Sequence, residues 1–93
     1  MKELFTVAKK YGLKVHLDGA RIFNAAISLK ITAQEIAACC DSVMFCLSKG
    51  LCAPIGSIIA GSKEFIQQAR FKRKLMGGGL RQVGIIASAG KKI

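Results

Sequence analysis

The chain has 93 residues, 52% of them hydrophobic, and 15 Lys and Arg against 5 Asp and Glu give a formal charge of +10. Chains of this size bury only about 60–65% of their unfolded surface, which excludes a large self-contained core, and so apolar a composition suits a piece of a larger α/β body better than a free-standing minidomain. The charge would admit nucleic acid or an anionic membrane as partner, but its one cluster, Arg70, Lys72, Arg73 and Lys74, has only Phe71 beside it to stack on a base. A solvated helix face is the simpler reading of that cluster, with an anion site as the alternative.

In chain order, Leu4, Phe5 and Ala8 have helical spacing within residues 2–10, and Gly12 follows as a stop signal. Residues 13–17 alternate apolar and polar side chains, which predicts a strand ending at Asp18. His16 then points away from Val15 and Leu17, as a half-buried strand histidine rather than a catalytic base. Residues 20–29 carry Ile22, Phe23, Ala26 and Ile27 at helical spacing, and Thr32 with Glu35 reads as a capping box opening a second, short helix. The apolar run 42–47 has the length of a buried strand and leads directly into Ser48 and Lys49.

Residues 50–54 have turn composition, and the β-branched residues of 55–60, bounded by glycines, predict a third strand. Ser62 is placed to cap a helix with Phe65, Ile66 and Ala69 on one face, running to about Met76 and stopped by Gly77, Gly78 and Gly79. A last helical segment covers residues 81–90. Helix, strand, helices, strand, strand, helix, helix is the order of a layered α/β body. Open α/β sheets take ligands beyond the C-terminal ends of their strands. Asp18 and Lys49 both fall there, so two reactive groups 31 residues apart can converge.

Cys39, Cys40, Cys46 and Cys52 form no CxxC pair, and His16 is the single imidazole, so no metal site is expected. The cysteines read as small buried hydrophobes in a reducing compartment. The uncharged stretch 50–62 contains Pro54 and is shorter than the ~20 apolar residues of a membrane span. With no secretory pattern at the start, a soluble cytoplasmic location without membrane contact is expected.

Four blocks agree in order and spacing with one family. His16-Leu17-Asp18-Gly19-Ala20-Arg21, Ser48-Lys49-Gly50-Leu51, Ala53-Pro54-Ile55-Gly56-Ser57 and Lys74-Leu75-Met76-Gly77-Gly78-Gly79-Leu80-Arg81-Gln82 together resemble the corresponding stretch of the low-specificity threonine aldolases, within the β-eliminating lyase superfamily. Nearly the whole chain takes part. The resemblance implies an α/β fold, namely part of the large domain of an aspartate-aminotransferase-like body truncated at both ends, with pyridoxal 5'-phosphate (PLP) as cofactor. It also implies a small amino-acid substrate and a homo-oligomeric parent.

Residue by residue, the resemblance makes Lys49 the lysine that holds PLP covalently. An ε-amine whose pKa is lowered by partial burial attacks an aldehyde near neutral pH; without the surrounding blocks, a surface lysine after a strand would be the default. Asp18 matches the carboxylate that keeps the pyridine nitrogen protonated, and it can serve as a turn residue before Gly19 at the same time. Arg21 matches the arginine for the substrate carboxylate, which its planar fork suits, with a surface ion pair as the alternative. Lys74 and Arg81 match basic residues expected to reach the cofactor phosphate of a neighbouring subunit. Ser48 is a phosphate hydrogen-bonding candidate or a plain polar strand end. Cys52 stands where glycine is commoner.

The implied activity of the whole enzyme is cleavage of L-threonine or L-allo-threonine to glycine and acetaldehyde, as part of threonine catabolism and glycine formation. The family's phosphate-binding glycine turn, ring-stacking histidine and small C-terminal domain find no counterpart in these residues, so the 93-residue chain by itself is expected to be inactive. Another PLP-dependent β-eliminating lyase or aminotransferase shares the lysine and aspartate logic, and Arg21 with the triple-glycine block separates the aldolases from them. A small basic nucleic-acid-binding protein is the reading from a different class.

Overall fold

A computed structural model describes residues 1–92. Its elements are α1 (Lys2–Lys10), β1 (His16–Asp18), α2 (Ile22–Leu29), α3 (Ala33–Ala37), β2 (Ser42–Cys46), β3 (Ser57–Gly61), α4 (Lys63–Leu75) and α5 (Gly84–Gly90). The three strands form one sheet in the order β1-β2-β3. The first pair is parallel, with His16 opposite Ser42 and Asp18 opposite Met44. The second is antiparallel, with Ser42 opposite Gly61 and Cys46 opposite Ser57. An α/β body with helices laid on a mixed sheet is therefore what these residues build.

Local chemistry accounts for the helix ends. Glu3 in the first turn of α1 and Lys9 and Lys10 in the last complement the helix dipole. Thr32 and Glu35 close the expected capping box: the Glu35 N–H donates to Thr32 Oγ1 at 3.1 Å and the Thr32 N–H donates to Glu35 Oε2 at 2.7 Å. Ser62 caps α4 by accepting the Phe65 N–H at 3.2 Å. At the other end of α4 the Gly78 N–H donates to Arg73 O and the Gly77 N–H to Lys74 O, with Gly77 at φ 84°, so the first of the three glycines supplies the left-handed residue of a Schellman stop.

Several predicted edges move. The strand expected over 13–17 shrinks to His16–Asp18 because Leu13 N–H ends α1 by donating to Ala8 O, while Val15 N–H is taken by the Asp41 carboxylate at 2.8 Å. The helix expected from residue 20 starts at Ile22, since Ala20 O accepts from Cys46 N–H and extends the β1/β2 pairing instead. The third strand slips to Ser57–Gly61 after Gly56 adopts φ 112°. The last helix starts at Gly84, behind a turn in which Leu80 is left-handed at φ 47°.

The core lies between α2 and the sheet. Ile22, Ala26, Cys39, Val43 and Ala53 are buried, with Ser42 as the buried polar residue. Phe23 of α2 meets Phe45 of β2 edge to face, ring centroids 5.3 Å apart, which pins the helix to the strand. Neither α4 nor α5 contains a buried residue. The radius of gyration, 14.7 Å, exceeds the ~12 Å of a compact chain of this length, so the body is an open slab.

The cysteines divide rather than being uniformly buried: Cys39 is buried, Cys40 and Cys46 are half-buried, and Cys52 is exposed. Desolvation pushes the Cys40 thiol above its ordinary range. Cys52 sits at φ 59°, a left-handed conformation that favours glycine. His16 is exposed rather than half-buried, its Nδ1 paired with Ser42 Oγ at 2.8 Å.

Candidate active site

The parallel pairing of β1 and β2 brings their C-terminal ends to one side of the sheet. Gly19 N–H donates to Met44 O at 2.9 Å, and Cys46 N–H donates to Ala20 O at 3.3 Å. The backbone is thus tied two residues past Asp18 and up to the end of β2. Gly19 is required by this closeness, because a Cβ there would lie 3.0 Å from Met44 O and 3.1 Å from Val43 Cγ2.

Asp18 is exposed at this end, and among the described residues its one side-chain hydrogen bond is Oδ1 accepting the Ala20 N–H at 3.2 Å. That bond is the turn role read from the sequence, and it leaves the second carboxylate oxygen available. Arg21 occupies the N-cap position of α2, exposed and without a side-chain cap bond.

Lys49 lies three residues past β2 in a closed loop. Leu47 N–H donates to Gly56 O at 2.9 Å, Ala53 N–H to Leu47 O at 3.0 Å and Cys52 N–H to Lys49 O at 2.9 Å. The buried Ala53 anchors the loop from below. Ser48 and Lys49 are exposed, so the partial burial expected of the lysine is not supplied by the described residues. Asn24 of α2 packs onto the same loop: a Cβ on Gly50 would collide with its Oδ1 and lie 2.9 Å from its Cγ. Asn24 carries no motif in the sequence; its only signal is its place one helical turn beyond Arg21.

Lys74 and Arg81 flank the triple glycine. The Lys74 ammonium lies over Gly79, 3.2 Å from where a Cβ would stand, and Arg81 is exposed in the turn that follows. No hydrogen bond or ion pair among the described residues joins either of them to Asp18, Arg21, Ser48 or Lys49. Asp18, Arg21, Ser48 and Lys49 thus share one end of the framework, with Lys74 near the end of α4 and Arg81 in the turn before α5.

Two open grooves of about 570 and 540 Å³ lie elsewhere. The first runs between α1 and residues 13–16, and the second is lined by Lys14, His16, Asp41, Ser42, Ile59 and Phe65 among others. Both sit at the N-terminal ends of β1 and β2, away from the end where α/β sheets hold ligands. Asp41 there is an anchor, its carboxyl pulled down to about 2 by the Lys9 ammonium, 2.6 Å away, and by the Val15 N–H. Among the described residues no group of three or more His, Cys, Asp or Glu side chains could hold a metal ion, and no helix is long and apolar enough to cross a membrane.

Known proteins share this arrangement of sequence. A low-specificity L-threonine aldolase of Arabidopsis thaliana is 51% identical over 83 residues, covering 89% of this chain and 23% of that protein. The low specificity L-threonine aldolase of Escherichia coli K12 is 46% identical over 90 residues, 97% of this chain and 27% of its own. Among solved structures, one from Listeria monocytogenes, named as a candidate L-allo-threonine aldolase, superimposes with a TM-score of 0.88 at 32% identity, covering 96% of this chain and 25% of that one. The chain therefore spans about a quarter of the length of the relatives it matches. None of this similarity favours the nucleic-acid reading. The profile of the family described as beta-eliminating lyase matches residues 1–92, and the chain belongs to that family.

Proposed function

We propose that residues 1–93 form part of the large cofactor-binding domain of a cytoplasmic, homo-oligomeric low-specificity threonine aldolase, which cleaves L-threonine or L-allo-threonine to glycine and acetaldehyde with PLP. The reading rests above all on one observation: Asp18 and the Lys49 loop stand at the same end of two parallel strands, in a chain whose relatives are named as threonine aldolases. The donor set suits PLP. Asp18 has a carboxylate oxygen to offer, and the exposed Lys49 amine has no ion-pair partner among the described residues.

PLP, when bound, supplies a sink for the electron pair released as a bond at the substrate α-carbon breaks. Lys49 holds the cofactor through a covalent bond from its ε-amine. The Asp18 carboxylate keeps a proton on the pyridine nitrogen, a role its fixed turn suits because an anchored acceptor needs no reorganisation. Arg21 receives the substrate carboxylate in its guanidinium fork and so orients the α-carbon. Ser48 would donate to the phosphate. Lys74 and Arg81, both exposed, would reach the phosphate of a neighbouring subunit. In the net reaction the Cα–Cβ bond breaks, the hydroxyl proton leaves with acetaldehyde formation, and the α-carbon of glycine takes a proton.

The test is a chimera in which residues 1–90 replace the equivalent stretch of the E. coli relative, assayed for glycine release from L-threonine and L-allo-threonine. Cleavage is expected, with Asp18→Asn reducing turnover by orders of magnitude while leaving folding intact. A folded, PLP-loaded chimera that cleaves neither substrate would overturn the reading.

A further inference from the structure

We propose that Asn24 is a positioning residue for Lys49, its side-chain amide bracing the Lys49 turn against α2. The inference rests on reading Lys49 as the cofactor lysine and concerns how this chain keeps that lysine in place.

The loop has two supports of different kinds. Backbone bonds close it on itself, through Ala53 N–H to Leu47 O and Cys52 N–H to Lys49 O. These bonds set the shape of the loop but not its position relative to Asp18 and Arg21. Position takes contacts from the β1/α2 side: Cys46 N–H to Ala20 O ties the base of the loop, and Asn24 reaches the turn itself, with Oδ1, Cγ and Nδ2 all crowding the space above Gly50.

The helix that carries Asn24 is well held. Ile22 and Ala26, on either side of it, are 5% and 7% exposed, and the adjacent Phe23 packs on Phe45. A two-torsion side chain on a fixed helix has little freedom to lose, so it can act as a stop. Gly50 completes the device by presenting no side chain at the point of contact, which lets the amide lie directly on the backbone next to Lys49.

The experiment compares the chain with its Asn24→Ala, Gly50→Ala and doubly substituted forms by hydrogen exchange of segments 47–56 and 16–20, and by the share of pyridoxyl label on Lys49 after incubation with PLP and borohydride. Asn24→Ala should speed exchange in 47–56 roughly fivefold, about 1 kcal/mol of local opening, lower the Lys49 share of the label, and leave 16–20 unchanged. Gly50→Ala displaces the same amide and should do the same alone, yet add little once Ala stands at 24, because the two changes remove one contact. Should one variant fail to fold, the other reports on the contact from its opposite side. Equal slowing or speeding of both segments, additive effects, or an unchanged Lys49 share in Asn24→Ala would overturn the positioning role while leaving Lys49 as cofactor lysine. A wild-type chain without preference for Lys49 would remove that lysine's role, and the brace with it.

Discussion

The half of the chain built from β1, α2 and β2 and the arm built from α4 and α5 carry candidate site residues in opposite ways. In the first, Ile22, Ala26, Cys39, Val43 and Ala53 are buried, and backbone bonds reach from Gly19 and Ala20 to Met44 and Cys46. Asp18 and Lys49 are exposed side chains on a fixed frame. On the arm no residue of either helix is buried, and Leu75, Met76 and Ile85 stand 69%, 85% and 85% exposed. Lys74 and Arg81 therefore sit on lightly anchored elements: α4 meets β3 where Phe65 packs on Gly61, and α5 touches the Lys49 loop where Gly90 meets Leu47. On the proposed function this difference is a division of labour: residues 16–50 would place Asp18 and Lys49 for PLP, whereas Lys74 and Arg81 would meet a phosphate only with a surface outside α4 and α5.

Core truncation should break this contrast most strongly if it is wrong. Ile22→Ala removes a buried side chain from beneath the Asp18 end and is expected to cost about 2–5 kcal/mol, against no more than ~0.5 kcal/mol for Ile85→Ala on the arm. Denaturant titration of both variants checks this, and equal losses would mean that the arm packs as tightly as the frame. Next in size, Gly19→Ala should cost about 1–3 kcal/mol because the added methyl presses on Met44 O and Val43. Its Lys49 loop should loosen as well, measurable by exchange at Cys52 and Ala53.

The caps sharpen the comparison because the same chemistry appears on both sides. Thr32→Ala loses the reciprocal bonds with Glu35, and Ser62→Ala loses the bond to Phe65 N–H, each a change of ~1 kcal/mol. Far-UV circular dichroism should show the Ser62 change as fraying confined to α4, while the Thr32 change lowers the main transition.

The smallest effect is the acid dependence of Asp41, whose partners Lys9 and Lys14 are solvent-exposed and so screened. Its folded carboxyl titrates near 2, below an ordinary value of about 4. The charged form is thus favoured by folding, and the stabilisation is complete above about pH 4 and is lost as pH falls towards 2. Melting temperature followed from pH 6 to 2 should drop less steeply for Asp41→Asn than for the wild type; parallel slopes would remove Asp41 from this role.

The order of all eight elements was legible because hydrophobic spacing and capping residues are local signals, as Thr32 with Glu35 and Ser62 with Phe65 illustrate. Edges failed where a partner distant in sequence decides them. The bond from Val15 N–H to Asp41 shortens β1, and nothing near Val15 announces it. The shared end of Asp18 and Lys49 was readable from strand ends and the rule for α/β sheets. The exposure of Lys49 and Cys52, and the contact of Asn24 with Gly50, were not, since each depends on how a loop folds back on a helix.

The most direct test of the central claim is covalent. The chain is incubated with PLP, reduced with borohydride and mapped by peptide mass. Where PLP binds, a single pyridoxyl group on Lys49 is expected, and a label spread over Lys72, Lys74 and Lys91 would contradict the assignment of Lys49 as the cofactor lysine.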